Sequence, residues 1–327
     1  MGRRRARARA HTMQGLVKYH GLRDPELRIP YHDSISVNLE ALGTVCEVEF
    51  HDGPEDQVLI NGARAVGREY ERVVKLLDVI RRVAGIRERA RVVSENFPRG
   101  LRGKGLGFSS SAGAAIAAAA YQASGLADRL GWDETLLSRL ARRFAGSACR
   151  TVVGGYARWF AGHDDATSYA VRIGDSHTLP MKVVVVPLHI DAETEAAHRE
   201  AATSPFFQAR VARAQERVEE MEGAIRRGDL RRVGELSEAD SLELHAVTMT
   251  GGGRMILITP ESLRLVQLAL AWRAEGLPVY FSLQTGPTVY LDTTPDMADE
   301  VARRVRQLSH SPIISSIGGP AQILEPS

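Results

Sequence analysis

The chain has 327 residues, 44% of them hydrophobic, which suffices for two domains or one large one and excludes a chain that is disordered throughout. Basic and acidic residues number 42 and 40, so the formal net charge is only +2 and we expect no nucleic-acid partner. No apolar run approaches the ~20 residues of a membrane helix, and Cys46 and Cys149 lack disulfide or zinc spacing, which favours a cytoplasmic protein without membrane association.

Residues 1–12 are rich in arginine and are not followed by a hydrophobic segment, which predicts a disordered tail with Met13 as an alternative start. Beyond it, apolar runs with strand character are interspersed with patterns of helical period, which favours an α/β or α+β architecture. The predicted strands are 45–50, 181–187, 255–258 and 279–282. The predicted helices are 64–83, 113–122, 136–144, 192–227, 260–275 and 296–308. A break near 183–187 predicts domains over 13–185 and 186–327.

A glycine and serine loop at residues 105–113 runs directly into an alanine-rich segment. Free backbone N–H groups and the positive end of a helix dipole would meet there, which suits a phosphate. The loop is not the Walker pattern, because no Gly-Lys-Ser/Thr ends it and Lys104 precedes the serines. A small-residue helix packed on a sheet is the alternative, although the hydroxyls exceed what packing needs. The candidate nucleotide-binding residues here are Gly105, Gly107, Ser109, Ser110, Ser111 and Gly113.

Two segments near the N-terminus, 17–24 and 29–37, place Lys, His, Arg, Asp and Ser side chains between apolar ones. Such segments are candidates for binding a polar ligand, although taken alone they fit a solvated loop and an edge strand equally well. The blocks KYHGLRD at 18–24 and SISV at 34–37 resemble the opening of the diphosphomevalonate decarboxylase family. That family belongs to the superfamily of small-molecule kinases named after galactose, homoserine, mevalonate and phosphomevalonate.

Further blocks resemble the family in the same order along the chain. They are SENFP at 94–98 before the glycine and serine loop, GSACR at 146–150 with GGY at 154–156, TSPF at 203–206 and HAVTM at 245–249. One such agreement could arise by chance, but five ordered blocks could not. The resemblance implies a two-domain α+β fold of the GHMP-kinase type, with an N-terminal ribosomal-S5-like domain and a C-terminal ferredoxin-like domain.

The resemblance also implies a reaction and the residues that perform it. ATP with Mg²⁺ phosphorylates the tertiary 3-hydroxyl of a mevalonate 5-phosphate or 5-diphosphate, and phosphate and CO2 then leave; a homodimer is usual. Arg150 would hold the substrate carboxylate through its planar fork, unless it forms a structural ion pair. Lys18 would lie against the 3-hydroxyl, with a surface salt bridge as its alternative.

Other roles follow from the same match. Ser110 and Ser111 would also contact the metal ion, and Asn96 would join the nucleotide site. The substrate-binding candidates are Tyr19, Arg23, Ser34, Ser36, Ser147 and His198.

Gln284 departs from the family pattern. It stands where the family carries an aspartate that draws or orients the proton of the 3-hydroxyl. An amide can orient a hydroxyl but cannot accept its proton. Three explanations stay open: another group acts as base, the enzyme phosphorylates without decarboxylating, or the glutamine is an engineered replacement. We therefore count Gln284 with Lys18 and Arg150 as the catalytic candidates.

Two further departures bear on the substrate. Leu22 and Ala145 stand where diphosphate-using members carry polar contacts to the distal phosphate, so a 5-monophosphate is the better expectation. His20, His32 and His198 are candidates for holding that phosphate, although a lone histidine is more often a packing residue. The expected activity is decarboxylation of mevalonate 5-phosphate to isopentenyl phosphate. The alternatives are a diphosphomevalonate decarboxylase, a 3-kinase that releases no CO2, and a non-catalytic relative.

Overall fold

The structure, a computed structural model, describes residues 4–101, 103, 105–190 and 194–325. Its first elements are β1 (Arg5–Val17), β2 (Leu22–Asp24), β3 (Ile29–Pro30), β4 (Ser34–His51), β5 (Gln57–Ile60), β6 (Ala63–Arg64), α1 (Gly67–Ala84), β7 (Arg89–Phe97), α2 (Phe108–Ala123), α3 (Leu126–Leu130), α4 (Glu134–Arg142), α5 (Ala148–Val153), β8 (Tyr156–Trp159) and β9 (Ala170–Gly174). The later ones are β10 (Lys182–Val186), α6 (Thr194–Ala201), α7 (Phe207–Arg226), α8 (Leu230–Met249), α9 (Pro260–Ala274), β11 (Val279–Leu283), β12 (Val289–Thr293), α10 (Ala298–Gln307), β13 (Ile313–Ser315) and β14 (Gln322–Leu324).

The first domain is built on an eight-stranded sheet. Its main order is β14-β1-β4-β7-β5-β6, and β8 pairs with β4 and β9. Helix α2 packs on β1 and β4. Small alanines line its buried face, so the helix lies close to the strands, and its start points to the middle of the molecule.

The second domain is built on a four-stranded antiparallel sheet in the order β11-β12-β10-β13. The chain order β10, helices, β11, β12, α10, β13 is the βαββαβ sequence of a ferredoxin-like fold. Helices α9 and α10 bury their apolar faces with this sheet. The two-domain α+β fold that the resemblance implies is therefore confirmed.

The pair of helices α7 and α8 connects the two domains. Helix α7 contacts β1 and β4 of the first sheet, and α8 contacts β11 of the second. One apolar cluster contains residues of both domains, among them Leu16 of β1, Val185 of β10 and Val218 of α7. This shared core holds β1 and β11 side by side, which fixes the geometry of the cleft between them.

The N-terminal segment was predicted wrongly as a disordered tail. Residues 5–12 lie in β1, which pairs with β4 and β14, while residues 1–3 lie outside the described part. The physical reason is an alternation of period two: Ala6, Ala8 and Ala10 enter the core while the arginines between them remain accessible. Alanine is a weak strand former, so this alternation is easily overlooked in an arginine-rich segment.

Three other predictions need correction. Residues 255–258 form no strand but lead into α9. Thr259 is the N-cap of this helix and forms a capping box with Ser262. The helix predicted over 192–227 is two helices, α6 and α7, and its first residues, 192 and 193, lie outside the described part. The boundary predicted at 185/186 falls inside β10, which pairs in the second sheet. The other predicted helices and strands are present, with shifted ends.

None of the helices in the described part of the chain is both long and apolar enough to cross a membrane.

Candidate active site

A cavity of about 460 Å³ lies where β1, the start of α2 and the end of β11 meet. Both domains supply its walls. Among the described residues, its charged lining consists of Lys18, Arg28, Arg68, Arg72 and Arg150 with one carboxylate, Glu69. Five cations against one anion contrast with the nearly neutral chain, so the cavity is suited to a ligand with several negative charges.

The start of α2 forms one wall of this cavity. No side chain caps the helix and its first turn carries no acidic residue, so an anion can approach the positive end of the helix, although the Ser110 N–H already donates to the Gly107 carbonyl at 2.9 Å. Gly107, at φ +81°, makes the turn into the helix, and a Cβ there would lie 3.0 Å from the Met13 carbonyl oxygen. Gly105, Gly107, Ser109 and Ser110 line the cavity, as predicted. Lys104 lies outside the described residues.

The serines of this loop differ in what they can reach. Ser110 lines the cavity, and its Oγ lies 2.5 Å from Oγ of Ser147, which is also on the wall. Ser111 was predicted as a nucleotide and metal ligand, but it points away. Its buried Oγ lies 2.7 Å from Oγ of Thr44, because the helix turns it toward the sheet. Of the two predicted metal ligands, only Ser110 therefore has access to the cavity.

Arg150 is a buried cation that forms no ion pair with the described residues. It is 1% exposed on α5, and its Nε and Nη1 atoms have no hydrogen-bond acceptor. In the described part of the chain no carboxylate pairs with it, so the predicted alternative of a structural ion pair does not hold there. The guanidinium lies over the rings of Tyr19 and Trp159, at 5.6 and 5.8 Å from their centroids. Burial lowers the pKa of Arg150, because the charged form is removed from water.

Lys18 is 4% exposed and also lies on the cavity wall. Its Nζ lies 3.6 Å from Oδ2 of Asp240 and donates a hydrogen bond of 2.9 Å to Oγ of Ser241. The predicted alternative of a surface salt bridge is wrong, because this ion pair is buried. Burial lowers the pKa of Lys18 to about 8, although the neighbouring Asp240 acts in the opposite direction.

Gln284 lies directly after β11 and is held by the backbone of Gly15. Its Oε1 accepts from the Gly15 N–H at 2.9 Å, and its Nε2 donates to the Gly15 carbonyl at 3.2 Å. A Cβ on Gly15 would meet Cγ of Lys18 at 2.9 Å and Oε1 of Gln284 at 3.0 Å. Lys18 and Gln284 are thus immediate neighbours across a glycine that must stay small.

Tyr19 and His198 form an aromatic part of the wall. Their rings stack with centroids 4.8 Å apart, and the Gly21 N–H donates to Nδ1 of His198 at 3.2 Å. His20 packs against His198, at 5.2 Å between ring centroids, and is buried. His32 is buried as well, and neither His20 nor His32 lines the cavity.

Five further predicted residues do not line the cavity. Arg23 is exposed and donates to the carbonyl of Gly162. The strand alternation of β4 buries the side chains of Ser34 and Ser36 inside the domain. Asn96 accepts from Oγ1 of Thr44 at 3.0 Å. Gly113 packs against Phe144, where a Cβ would lie 2.7 Å from Cδ1.

The sequence analysis missed several residues that the cavity contains. Arg68 and Arg72 are four residues apart on α1, a spacing that places them on one helix face and could have been noticed. Asp240 is a different case, because it approaches Lys18 from 222 positions away and no local pattern indicates it.

The fold and this cleft place the chain in the class of small-molecule kinase-like enzymes that bind a nucleotide and a phosphorylated substrate between two domains. Two family models match it: the diphosphomevalonate decarboxylase-like N-terminal domain over residues 10–170, and the mevalonate 5-diphosphate decarboxylase C-terminal domain over residues 191–314. A phosphomevalonate decarboxylase of Haloferax volcanii is 39% identical over 99% of this chain and 98% of its own.

Solved structures of the same family are also similar to this chain. Mevalonate diphosphate decarboxylase from Staphylococcus aureus is similar with a TM-score of 0.91 and 32% identity, over 98% of each chain. A related enzyme, described as MDDEF in complex with MVAPP, AMPPCP and magnesium, has a TM-score of 0.90 and 29% identity, over 98% of this chain and 99% of its own. The chain belongs to the diphosphomevalonate decarboxylase family, whose members are ATP-dependent decarboxylases of phosphorylated mevalonates.

Proposed function

We propose that this protein converts mevalonate 5-phosphate and ATP to isopentenyl phosphate, ADP, phosphate and CO2. The buried, unpartnered guanidinium of Arg150 is the observation that carries the proposal. A planar guanidinium binds a carboxylate in two parallel hydrogen bonds, in which Nη2 donates together with Nη1 or Nε. A cation buried without compensation is costly to the apo protein, so its presence on the cavity wall is best explained by an anionic ligand.

The opposite part of the cavity would hold the nucleotide. The uncapped start of α2 would bind phosphate oxygens through backbone N–H groups, and the hydroxyls of Ser109 and Ser110 would add further donors. Mg²⁺ fits here only as a partner of the phosphates, because the described residues contain no group of three His, Cys, Asp or Glu side chains that could hold a metal ion. The Ser110 hydroxyl is its candidate protein ligand, and the ion would neutralise charge on the phosphates.

The expected preference for a monophosphate has support at one position. Ala145 lies on the cavity wall and offers no hydrogen bond where a distal phosphate would need one. Tyr19 and His198 remain as polar groups for the 5-phosphate. The Haloferax volcanii relative, similar over nearly its full length, is itself a phosphomevalonate decarboxylase.

The mode of association and location belong to the same proposal. We expect a homodimer in the cytoplasm, as is usual for the family. The two cysteines are free and buried, which agrees with a reducing compartment. Sedimentation velocity at micromolar concentration would distinguish a dimer from a monomer.

A 3-kinase that stops before decarboxylation is the competing function, because Gln284 departs from the decarboxylase pattern and both of its polar groups are engaged by Gly15.

A mass-spectrometric product assay with ATP, Mg²⁺ and mevalonate 5-phosphate decides between the two. Isopentenyl phosphate and CO2 in equal amounts are expected. Accumulation of a 3,5-bisphosphate without CO2 would instead establish the kinase. Parallel reactions with mevalonate 5-diphosphate and mevalonate test the substrate, and exclusive turnover of the diphosphate would contradict the proposed monophosphate.

A further inference from the structure

We propose that Lys18 is the general base for the 3-hydroxyl and that Asp240 positions its amine, replacing the carboxylate that is missing at position 284. The inference rests on the proposed function, because it concerns the phosphoryl-transfer step of that reaction. It is supported by the groups available on the cavity wall, by the contacts of Nζ and by the charges around it.

Few groups on the wall could accept a proton. The amide of Gln284 cannot, and it is engaged by Gly15. The Nδ1 atom of His198 accepts from the Gly21 N–H, so the neutral ring carries its own proton on Nε2 and is a donor there. Glu69 is exposed on the first turn of α1, next to Arg68. Among the described residues of the wall, Lys18 alone combines burial, an ionisable nitrogen and direct proximity to the position of the missing carboxylate.

Nζ makes only one short hydrogen bond to the described residues. Oγ of Ser241 accepts it at 2.9 Å, and that hydroxyl gives its own proton to the Ser237 carbonyl at 2.7 Å. The two other acceptors are more distant, the Ser237 carbonyl at 3.5 Å and Oδ2 of Asp240 at 3.6 Å. A neutral amine has two N–H bonds and one lone pair. With protein acceptors behind it, the amine can present its lone pair to the cavity.

Asp240 fixes the lysine at two points. Its Oδ2 also accepts from the backbone N–H of Lys18 at 3.0 Å, so one carboxylate orients both the main chain and the amine. Asp240 is fully buried and its other oxygen, Oδ1, lies 2.7 Å from Arg210 and 3.3 Å from Arg217. Because Lys18, Arg210 and Arg217 share two carboxylates, those of Asp240 and Glu243, Asp240 orients Lys18 without fully stabilising its charge.

The charges that face Lys18 come from several elements. Asp240 and the more distant Asp292 favour the ammonium form, while Arg210 disfavours it, and Lys18 in turn disfavours protonation of His245. Burial is the largest effect and brings the pKa of Lys18 to about 8. A usable fraction of the amine is therefore neutral near pH 7.5.

In the phosphoryl-transfer step, Lys18 accepts a proton as the γ-phosphoryl group moves to the substrate. The lone pair of the Lys18 amine takes the proton of the substrate 3-hydroxyl while that oxygen bonds to the γ-phosphorus of ATP. The bond from the γ-phosphorus to the bridging oxygen breaks, and its electron pair leaves with ADP. The products are the 3-phosphorylated substrate, ADP and a Lys18 ammonium, which returns its proton to water before the next turnover. Elimination of phosphate and CO2 then follows without a further proton acceptor.

The first test follows the protonation of Lys18 without requiring activity. The chain contains only Lys18, Lys75, Lys104 and Lys182, so ¹³Cε-labelled lysine gives four resonances, and Lys18→Arg assigns one of them. We expect Lys18 to titrate near pH 8, and Asp240→Asn to move this titration to lower pH because a negative charge is removed. Glu243→Gln is the matched control. Glu243 pairs with Arg210 and Arg217 but does not contact Lys18, so the titration should stay in place.

The second test is the pH dependence of kcat for isopentenyl phosphate formation. The wild-type rate should rise with pH around the titration of Lys18, and Asp240→Asn should move that midpoint to lower pH by the same amount as in the NMR titration. Lys18→Ala should lose about 10²- to 10⁴-fold in kcat and regain part of it with added ethylamine. A Lys18 that titrates near 10, or a midpoint unmoved in Asp240→Asn, would overturn the inference. Absence of any wild-type product would instead count against the proposed function, and the NMR titration would still decide the protonation of Lys18.

Discussion

Arg150 shows how one residue can be unfavourable for stability and necessary for function. Its guanidinium is buried and unpartnered, so replacing it with the apolar Met should leave the unfolding free energy unchanged or raise it. The same variant loses both charge-assisted bonds to the carboxylate, each worth about 1.5–3 kcal/mol, so kcat/KM for mevalonate 5-phosphate should fall by about 10²-fold or more. Thermal melts and steady-state kinetics measure the two effects separately.

Arg99→Met is the control for this variant, because Arg99 is 82% exposed and its ion-pair partner among the described residues is Glu95 of β7. It should change neither Tm nor kcat/KM. A marked drop in Tm for Arg150→Met would contradict this prediction, since it would mean that the guanidinium stabilises the fold. ATP affinity should be retained in both variants.

Individual site residues were predictable where they lie inside a recognisable block. Lys18, Arg150 and Gln284 were found in this way, and all three line the cavity. Ser34 and Asn96 belong to similar blocks but do not line it, because the sequence does not show which face of a strand meets the cleft. Contacts between distant segments, such as Lys18 with Asp240, depend on tertiary packing and leave no local signal.

At the scale of elements, the start of α2 is the feature that a small change would disturb most. Gly107→Ala adds a Cβ at φ +81° against the Met13 carbonyl, so the first turn must shift away from β1. We expect KM for ATP to rise by about tenfold, a loss of about 1.4 kcal/mol in binding. Kinetics at saturating mevalonate 5-phosphate would measure it.

A second glycine offers a matched comparison. Gly85 ends α1 with a similar φ of +72°, but a Cβ there would meet nothing within 4 Å. Gly85→Ala therefore carries the conformational cost of about 1 kcal/mol without the clash. It should lower Tm slightly and leave KM for ATP unchanged. An equal rise in KM for both variants would show that general destabilisation, not the geometry of the loop, is responsible.

Helices and strands were predictable where their hydrophobic residues recur with a clear helical or strand period. Helices α1, α9 and α10 combine a helical pattern with clear ends, and the prediction located them. Strand β1 was missed because its core-facing residues are alanines, which contribute little hydrophobic signal. Its partner β14 has only three residues, and it returns to the first sheet from the end of the chain. That pairing follows from the packing of the whole molecule and not from any short segment.

The whole molecule joins its two domains through buried polar groups, and these determine how its stability depends on pH. Burial lowers the pKa of His32 and His245 to about 4, and it lowers that of His20 as well. These rings are neutral in the folded protein but become protonated near pH 6.5 in the unfolded chain. The unfolded state therefore binds more protons below pH 6.5, and the folded protein loses stability as pH falls from 6.5 toward 4. Asp292 acts in the opposite direction, because burial raises its pKa to about 7.

Burial also lowers the pKa of His11 and raises that of Glu238. Four histidines against two carboxyls give a net loss of stability in acid. Urea unfolding between pH 4.5 and 7.5 should show the unfolding free energy falling as pH is lowered. Each fully buried histidine contributes at most about 3 kcal/mol to this fall, at 1.36 kcal/mol per pKa unit. His245→Gln should flatten the slope, whereas His177→Gln, at an exposed position, should leave it unchanged. If the slope of His245→Gln equals that of the wild type, the pKa of the ring is the same in the folded protein and in the unfolded chain, and burial does not keep the ring neutral.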